Sequence, residues 1–192
     1  PILDALGQES GTSSDFDLNP DFVLPEGRKL RPAGVLVPLE VRQGALHVIL
    51  TKRASHLKHH PGQIAFPGGK QDEGDADVVA AALREAHEEI GLPVNNVDVL
   101  GVLPTHETVT NFIVTPVIGL IKNEFSIVPE LGEVDEVFSV PLGHVSDPAL
   151  FSIQSRLWMG HKRSYFTVPF GPYYIWGATA RILRGLAERM NR

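Results

Sequence analysis

The residues most tightly spaced for chemistry are Glu85, Glu88 and Glu89, at i, i+3 and i+4 of the run ALREAHEEIGL. Helical residues three and four apart lie about 5–6 Å apart at Cβ, so the three carboxylates share a face and each like-charged pair costs a few tenths of a kcal/mol, roughly. A hard divalent cation, Mg²⁺ or Mn²⁺, answers that repulsion best, because such ions take oxygen ligands from carboxylates and from substrate phosphates. Arg84 stands beside them as a candidate ion-pair partner. Pro67, Gly68 and Gly69 in front of the helix let the backbone turn and come close to a ligand, so that a carbonyl such as that of Gly69 joins the metal shell. Taken alone, REAHEE reads equally well as a solvated face with an internal ion pair.

A second group lies just upstream. LTKRASHLKHHPGQIAFPGG, residues 50–69, carries Lys52, Arg53, His56, Lys58, His59 and His60 in a chain whose formal net charge is −6. Such a basic segment matches several phosphates at once. The bland alternative is a solvated loop whose histidines make local hydrogen bonds. A zinc site is disfavoured, since there is no cysteine and no helical His-x-x-x-His pair.

The elements that must position these groups read as a mixed α/β domain. Val79, Leu83, Ala86 and Ile90 form one apolar helical stripe, with the glutamates nearly opposite. Asp75 or Asp77 caps the helix, and Gly91 followed by Pro93 stops it. β-Rich runs at 31–39 and 45–51 flank the turn-prone Gln43-Gly44 and predict a hairpin. Further strands are expected near Phe66 and over 97–103, 111–121 and 136–140, with a late hairpin over 151–158 and 162–168. Residues 175–190 have the period of a closing amphipathic helix. Residues 1–25 read as an acidic arm whose Ile2, Leu3, Leu6 and Phe22 dock on the body or support a homodimer; residues 26–192 read as one domain.

With 192 residues, 43% of them hydrophobic, the chain can bury a core as a single unit. Its acidity argues against nucleic-acid binding and against an anionic membrane surface. The absence of cysteine excludes disulfides and thiolate nucleophiles. The longest apolar run, residues 112–121, falls short of the about 20 residues of a spanning helix. No secretory signal is visible, and a cytoplasmic setting is expected.

From Gly69 onward, Arg84, Glu85, Glu88, Glu89, Gly91 and Leu92 stand in the mutual spacing of the Nudix box, which this segment resembles. Asp75 replaces the first glutamate of that pattern and lies one residue further from Arg84 than usual, and Ala86 is smaller than the customary aliphatic residue. Residues 50–69 are similar to the signature of coenzyme A pyrophosphatases: Leu50, Thr51, Arg53, Ala54, Gly62, Phe66, Pro67, Gly68 and Gly69 match. Ile49 stands for the signature's first leucine, and Lys58 stands where arginine is usual, keeping the charge but losing the planar fork. The string at 175–181 also resembles the C-terminal helix of these enzymes.

The resemblance implies an α/β/α sandwich with a mixed β-sheet. It also implies hydrolysis of the pyrophosphate of coenzyme A or its derivatives to 3′,5′-ADP and 4′-phosphopantetheine or its acylated form. Glu85, Glu88, Glu89 and Gly69 would hold the metal, with Arg84 positioning; Arg53, Lys58, Gly62 and Phe66 would meet the substrate. Alternatives are a Nudix hydrolase of another nucleoside diphosphate derivative, such as ADP-ribose or NADH, and a non-catalytic module that keeps the fold. Acids outside the box that could activate water are Glu107, Glu130, Glu133, Asp135 and Glu136, with Glu133 and Glu136 reading as ordinary turn charges.

Overall fold

The computed structural model describes all 192 residues. In chain order it comprises α1 (Ile2–Leu6), β1 (Ser13–Ser14), β2 (Arg31–Arg42), β3 (Ala45–Arg53), β4 (Ile64–Ala65), β5 (Gly68–Lys70) and α2 (Val78–Ile90). There follow β6 (Val97–Val102), β7 (His106–Glu107), β8 (Phe112–Ile121), β9 (Val134–Pro141), α3 (Leu142–Val145), β10 (Ser152–Trp158), β11 (His161–Thr167) and α4 (Ala178–Met190).

Nine strands form one mixed sheet along the path β1-β7-β8-β2-β3-β4, with β5 on β2, β6 on β8 and β9 on β3. The β2–β8 and β1–β7 pairings are parallel and the others antiparallel. Side chains alternate across the central strands, as the two-residue period of a pleated strand requires. Leu36, Ile49 and Val117 face α2, where Ala82, Ala86 and Ile90 complete one core. Val37, Leu50 and Ile118 face the other way, onto Ile182, Leu183 and Leu186 of α4. The result is an α/β/α sandwich.

The β2–β3 hairpin turns at Gln43 (φ 52°) and Gly44 (φ 78°), two left-handed residues that suit the strand twist. Helix α2 is capped by Asp77, which accepts from Ala80 N–H at 2.8 Å, and ends at Gly91 in the left-handed region. Gly34 lets α2 sit tightly on β2: a Cβ there would meet the Val78 carbonyl oxygen at 2.0 Å.

The closing helix starts at Ala178 rather than at Ile175. Ile175 is buried, but its carbonyl accepts from Val168 N–H and Thr167 Oγ1, so its backbone continues the end of β11. Gly177, at φ 68°, breaks the chain into the helix. The amino-terminal arm docks on the body. Ile2 and Ala5 are buried against the α4 side, and Arg189 donates to the carbonyls of Ala5 and Gln8 at 3.3 and 3.1 Å.

Candidate active site

Strand β5 and helix α2 position the carboxylates. Gly68 and Gly69 lie in strand β5 rather than in a turn, and their value is close approach. A Cβ on Gly68 would meet Val35 Cα at 2.6 Å, and one on Gly69 would meet the Glu85 carboxyl carbon at 2.7 Å. The backbone therefore lies directly on the glutamates. Gly68 N–H points at Glu89 Oε2 at 3.3 Å.

Only part of the acidic face is solvated, contrary to the expectation that core and chemistry face opposite ways. Glu89 is 7% exposed, whereas the Glu88 side chain is 54% exposed. Burial, then the neighbouring charges of Glu85 and Glu133, push the Glu89 carboxyl up to about 8, against weaker relief from Gly68 N–H and Arg53. Burial also raises Glu85, against the hydrogen bond and charge of Arg84, while Glu88 and Glu133 push it further. Two half-buried to buried carboxylates thus crowd one place.

Arg84 organises the flank. It grips Asp75 in bidentate fashion, Nε to Oδ1 at 2.8 Å and Nη2 to Oδ2 at 2.9 Å. Its Nη1 reaches Glu85 at 3.0 Å and Glu88 at 3.2 Å. The Arg84 hydrogen bonds and Asp72 N–H hold the Asp75 carboxyl down to about 2. Asp75, one residue out of the expected spacing, therefore anchors Arg84. The extra residue is absorbed in the turn before α2, where Asp75 N–H donates to Asp72 O at 3.0 Å.

Glu85, Glu88 and Glu89 form an all-oxygen donor set suited to a hard cation. With these rotamers no three acidic or histidine side chains enclose an ion. Arg84 draws Glu85 and Glu88 to its own nitrogens, so a divalent cation would have to compete with it. Glu89 has no cationic group in contact, and its raised proton affinity is what a carboxylate shows when buried and then crowded by like charges.

The basic segment is divided. Arg53 acts electrostatically on Glu89. It donates to His59 O at 3.3 Å, and its Nε is buried without a partner. Gly62 has φ 69° and donates to Arg53 O at 3.1 Å, folding the loop back on that arginine. Lys58 is exposed. Phe66 departs from the expected substrate contact, because its side chain is 5% exposed and packed in the main core.

The acids outside the helix separate cleanly. Glu107 pairs with Arg28, Asp135 accepts from Ser55 N–H at 3.0 Å, Glu136 accepts from Tyr173 Oη, and Glu130 accepts from Gly132 N–H at 3.2 Å. Glu133 has no such side-chain partner and acts on both Glu85 and Glu89. The loop after β8 brings it there by satisfying the open carbonyls of α2: Val128 N–H donates to Ile90 O and Glu130 N–H to Glu89 O, both at 2.9 Å. In sequence Glu133 looked like a turn charge; its sole signal was its place just before an apolar strand.

Residues 30–157 match the family model described as NUDIX domain. The chain is 45% identical over 164 residues to an uncharacterized Nudix hydrolase, NudL, of Enterobacter sp. (strain 638), covering 84% of this chain and 83% of that one. It is 42% identical over 178 residues to NudL of Salmonella newport (strain SL254), covering 93% and 92%. Among solved structures, the Nudix hydrolase RenU from M. smegmatis aligns at TM-score 0.51 with 27% identity over 62% of this chain and 74% of that one. A MutT protein from Methanosarcina mazei Go1 aligns at TM-score 0.54 with 17% identity, covering 88% and 99%.

Proposed function

Because the chain belongs to the Nudix family and is a Nudix hydrolase, we propose that it cleaves the pyrophosphate of coenzyme A or its derivatives to 3′,5′-ADP and 4′-phosphopantetheine or the acylated equivalent. The observation that carries this reading is the position of Arg53. The segment from Leu50 to Gly69, whose residues match the coenzyme A pyrophosphatase signature, carries Arg53, whose charge acts on the buried Glu89, and runs into the glycines beneath Glu85. Arg53, from the segment that suits this substrate class, is the residue that links it electrostatically to the carboxylates that suit the metal.

Nudix hydrolases generally use divalent metal ions, and Mg²⁺ or Mn²⁺ is the proposed ion here. Glu85, Glu88, Glu89 and the Gly69 carbonyl would hold it. A bound divalent ion neutralises pyrophosphate charge and lowers the pKa of a coordinated water. Arg84, fixed by Asp75, orients Glu85 and Glu88, whose oxygens the ion would have to take from it. Arg53 and Lys58 offer positive charge to the phosphates. Glu133, without a side-chain partner and acting on half-buried Glu85 and buried Glu89, is the proposed acceptor of the attacking water's proton.

The test is product identification by mass, with coenzyme A, acyl derivatives, ADP-ribose and NADH offered in turn with Mg²⁺ or Mn²⁺. Release of 3′,5′-ADP from coenzyme A at the highest kcat/KM is expected. Preferential release of AMP from ADP-ribose would overturn the substrate assignment while keeping the hydrolase.

A further inference from the structure

A second cleft, of about 330 Å³, opens between the amino-terminal arm and the β10–β11 hairpin. That volume falls within the range of about 300–1,000 Å³ typical of small-molecule sites. Three aromatic rings run through it. Phe16 stacks on Phe22 with centroids 5.3 Å apart, and Phe22 meets Trp158 at 6.0 Å. Cations sit at both ends of the row: Arg28 lies over Phe16 at 5.3 Å and Arg163 over Trp158 at 5.4 Å. Lys162, exposed, adds a positive charge to the wall. Aromatic faces combined with cations fit a planar base that carries phosphate.

The cleft is held in shape by hydrogen bonds that cross from arm to body. Asn19 donates to Ser164 O at 2.9 Å and accepts from Ser164 N–H at 2.8 Å. Asp15 accepts from Val109 N–H at 2.8 Å and contacts His106, while Arg181 binds Asp17 at 2.9 Å. The cleft also connects to the carboxylates. Arg163 reaches Asp15 at 3.6 Å. His60 is held below its ordinary value by burial, then by Arg53 and His59; it also feels Asp15 and Arg156, and Arg53 in turn acts on Glu89. The loop after β3 therefore feels charges from both sides, Asp15 and Arg156 beside the cleft and Arg53 beside the glutamates.

We propose that this cleft receives the nucleotide half of the substrate, its purine stacked on Phe22 and Trp158 and its ribose phosphate met by Lys162 and Arg163. The inference rests on a nucleotide-bearing substrate, but not on coenzyme A in particular. It gives the arm and the hairpin a shared purpose: they complete the site as a clamp that recognises the base. A phosphate at the ribose 3′ position would gain from Lys162, so 3′,5′-ADP should bind more tightly than AMP.

The test needs neither metal nor turnover. The protein has two tryptophans, so Trp176→Phe leaves Trp158 as the fluorescent reporter. In EDTA, AMP and 3′,5′-ADP should quench it, with 3′,5′-ADP tighter, and 4′-phosphopantetheine should not. Calorimetry on the otherwise unaltered chain should show Trp158→Ala weakening both nucleotides by about tenfold or more, the scale of one base stack. Lys162→Ala, at an exposed position, should abolish the advantage of 3′,5′-ADP over AMP while leaving AMP binding in place. Quenching by 4′-phosphopantetheine alone, or unchanged nucleotide binding in Trp158→Ala, would overturn the proposal. If coenzyme A is not hydrolysed yet adenine nucleotides still quench, the coenzyme A assignment falls and the base cleft stands.

Discussion

Glu89 is 7% exposed as a residue and the Asp15 side chain 8% exposed, and the molecule treats the two carboxyls in opposite ways. Burial works against the charge of Asp15, but the hydrogen bond and charge of His106, then Val109 N–H and Arg163, outweigh it and hold the carboxyl below its usual value. Glu89 has Gly68 N–H and two acidic neighbours, and its carboxyl rises to about 8. Asp15 is a finished contact that ties the arm to the sheet. Glu89 is a carboxyl without a counter-charge in contact, placed where a divalent cation would supply one. Buried carboxylates alone do not mark a site; the partner set does.

The contrast can be broken hardest at Glu89. Glu89→Gln should lower kcat by about a thousandfold or more, consistent with loss of a metal ligand and several kcal/mol of transition-state stabilisation. Its stability effect should run the other way. A carboxyl that moves from 4.5 to about 8 on folding binds its proton more tightly in the folded state, so metal-free stability falls as pH rises through that window. The swing is on the order of 3–5 kcal/mol, at about 1.4 kcal/mol per unit. In EDTA at pH 9, Glu89→Gln should therefore melt higher than the parent, and near pH 4 the two should converge. A lower melting temperature at pH 9 would contradict the unsatisfied charge.

Next in size is Glu133→Gln. As a proton acceptor it should cost about a hundredfold in kcat, the lower end of general acid–base effects. KM should change little, and the acidic limb of the pH–rate profile should flatten. A variant with an unaltered profile would return Glu133 to the role of a turn charge.

Asp15→Asn probes the satisfied region, with the opposite sign. It should destabilise by about 1–3 kcal/mol at pH 7, because His106 loses a charged partner. Asp15 stays charged below its ordinary 3.8, so this contribution is present above that pH and is lost as pH falls through the lowered folded value. Denaturant melts at pH 7 and pH 3 should show the gap closing on acidification. The smallest effect is expected from Asp75→Asn, a fall in kcat of about tenfold or less, read from initial rates, as Arg84 loses its bidentate anchor but keeps Glu85 and Glu88.

What could be seen in the sequence follows which residues have local causes. The Gln43-Gly44 turn, the Asp77 cap and the Gly91 stop are written in neighbouring residues, and the alternation of β2, β3 and β8 sets both faces of the sheet. The R-E-x-x-E-E spacing likewise brought the carboxylates onto one helix. Features set by distant chain were hidden. Glu89 sat on the polar side of the helical pattern, and only the passage of β5 and the loop after β8 buries it. Gly68 and Gly69 suggested a turn because glycine permits one, whereas here it permits contact with Val35 and Glu85. Helix α1 has five residues, too few to be stable alone, and packs in the same core as α4. Phe66 fitted a substrate motif, yet the core claimed its ring.

At pH 7 the Glu89 carboxyl, raised to about 8 by burial and by the neighbouring Glu85, is expected to hold a proton that a divalent cation displaces. Mn²⁺ titration calorimetry at pH 7, in two buffers of different ionisation enthalpy, measures affinity and proton release together. The account predicts binding accompanied by release of close to one proton, with both lost in Glu89→Gln. Binding of equal affinity to parent and Glu89→Gln, with no proton released, would contradict it.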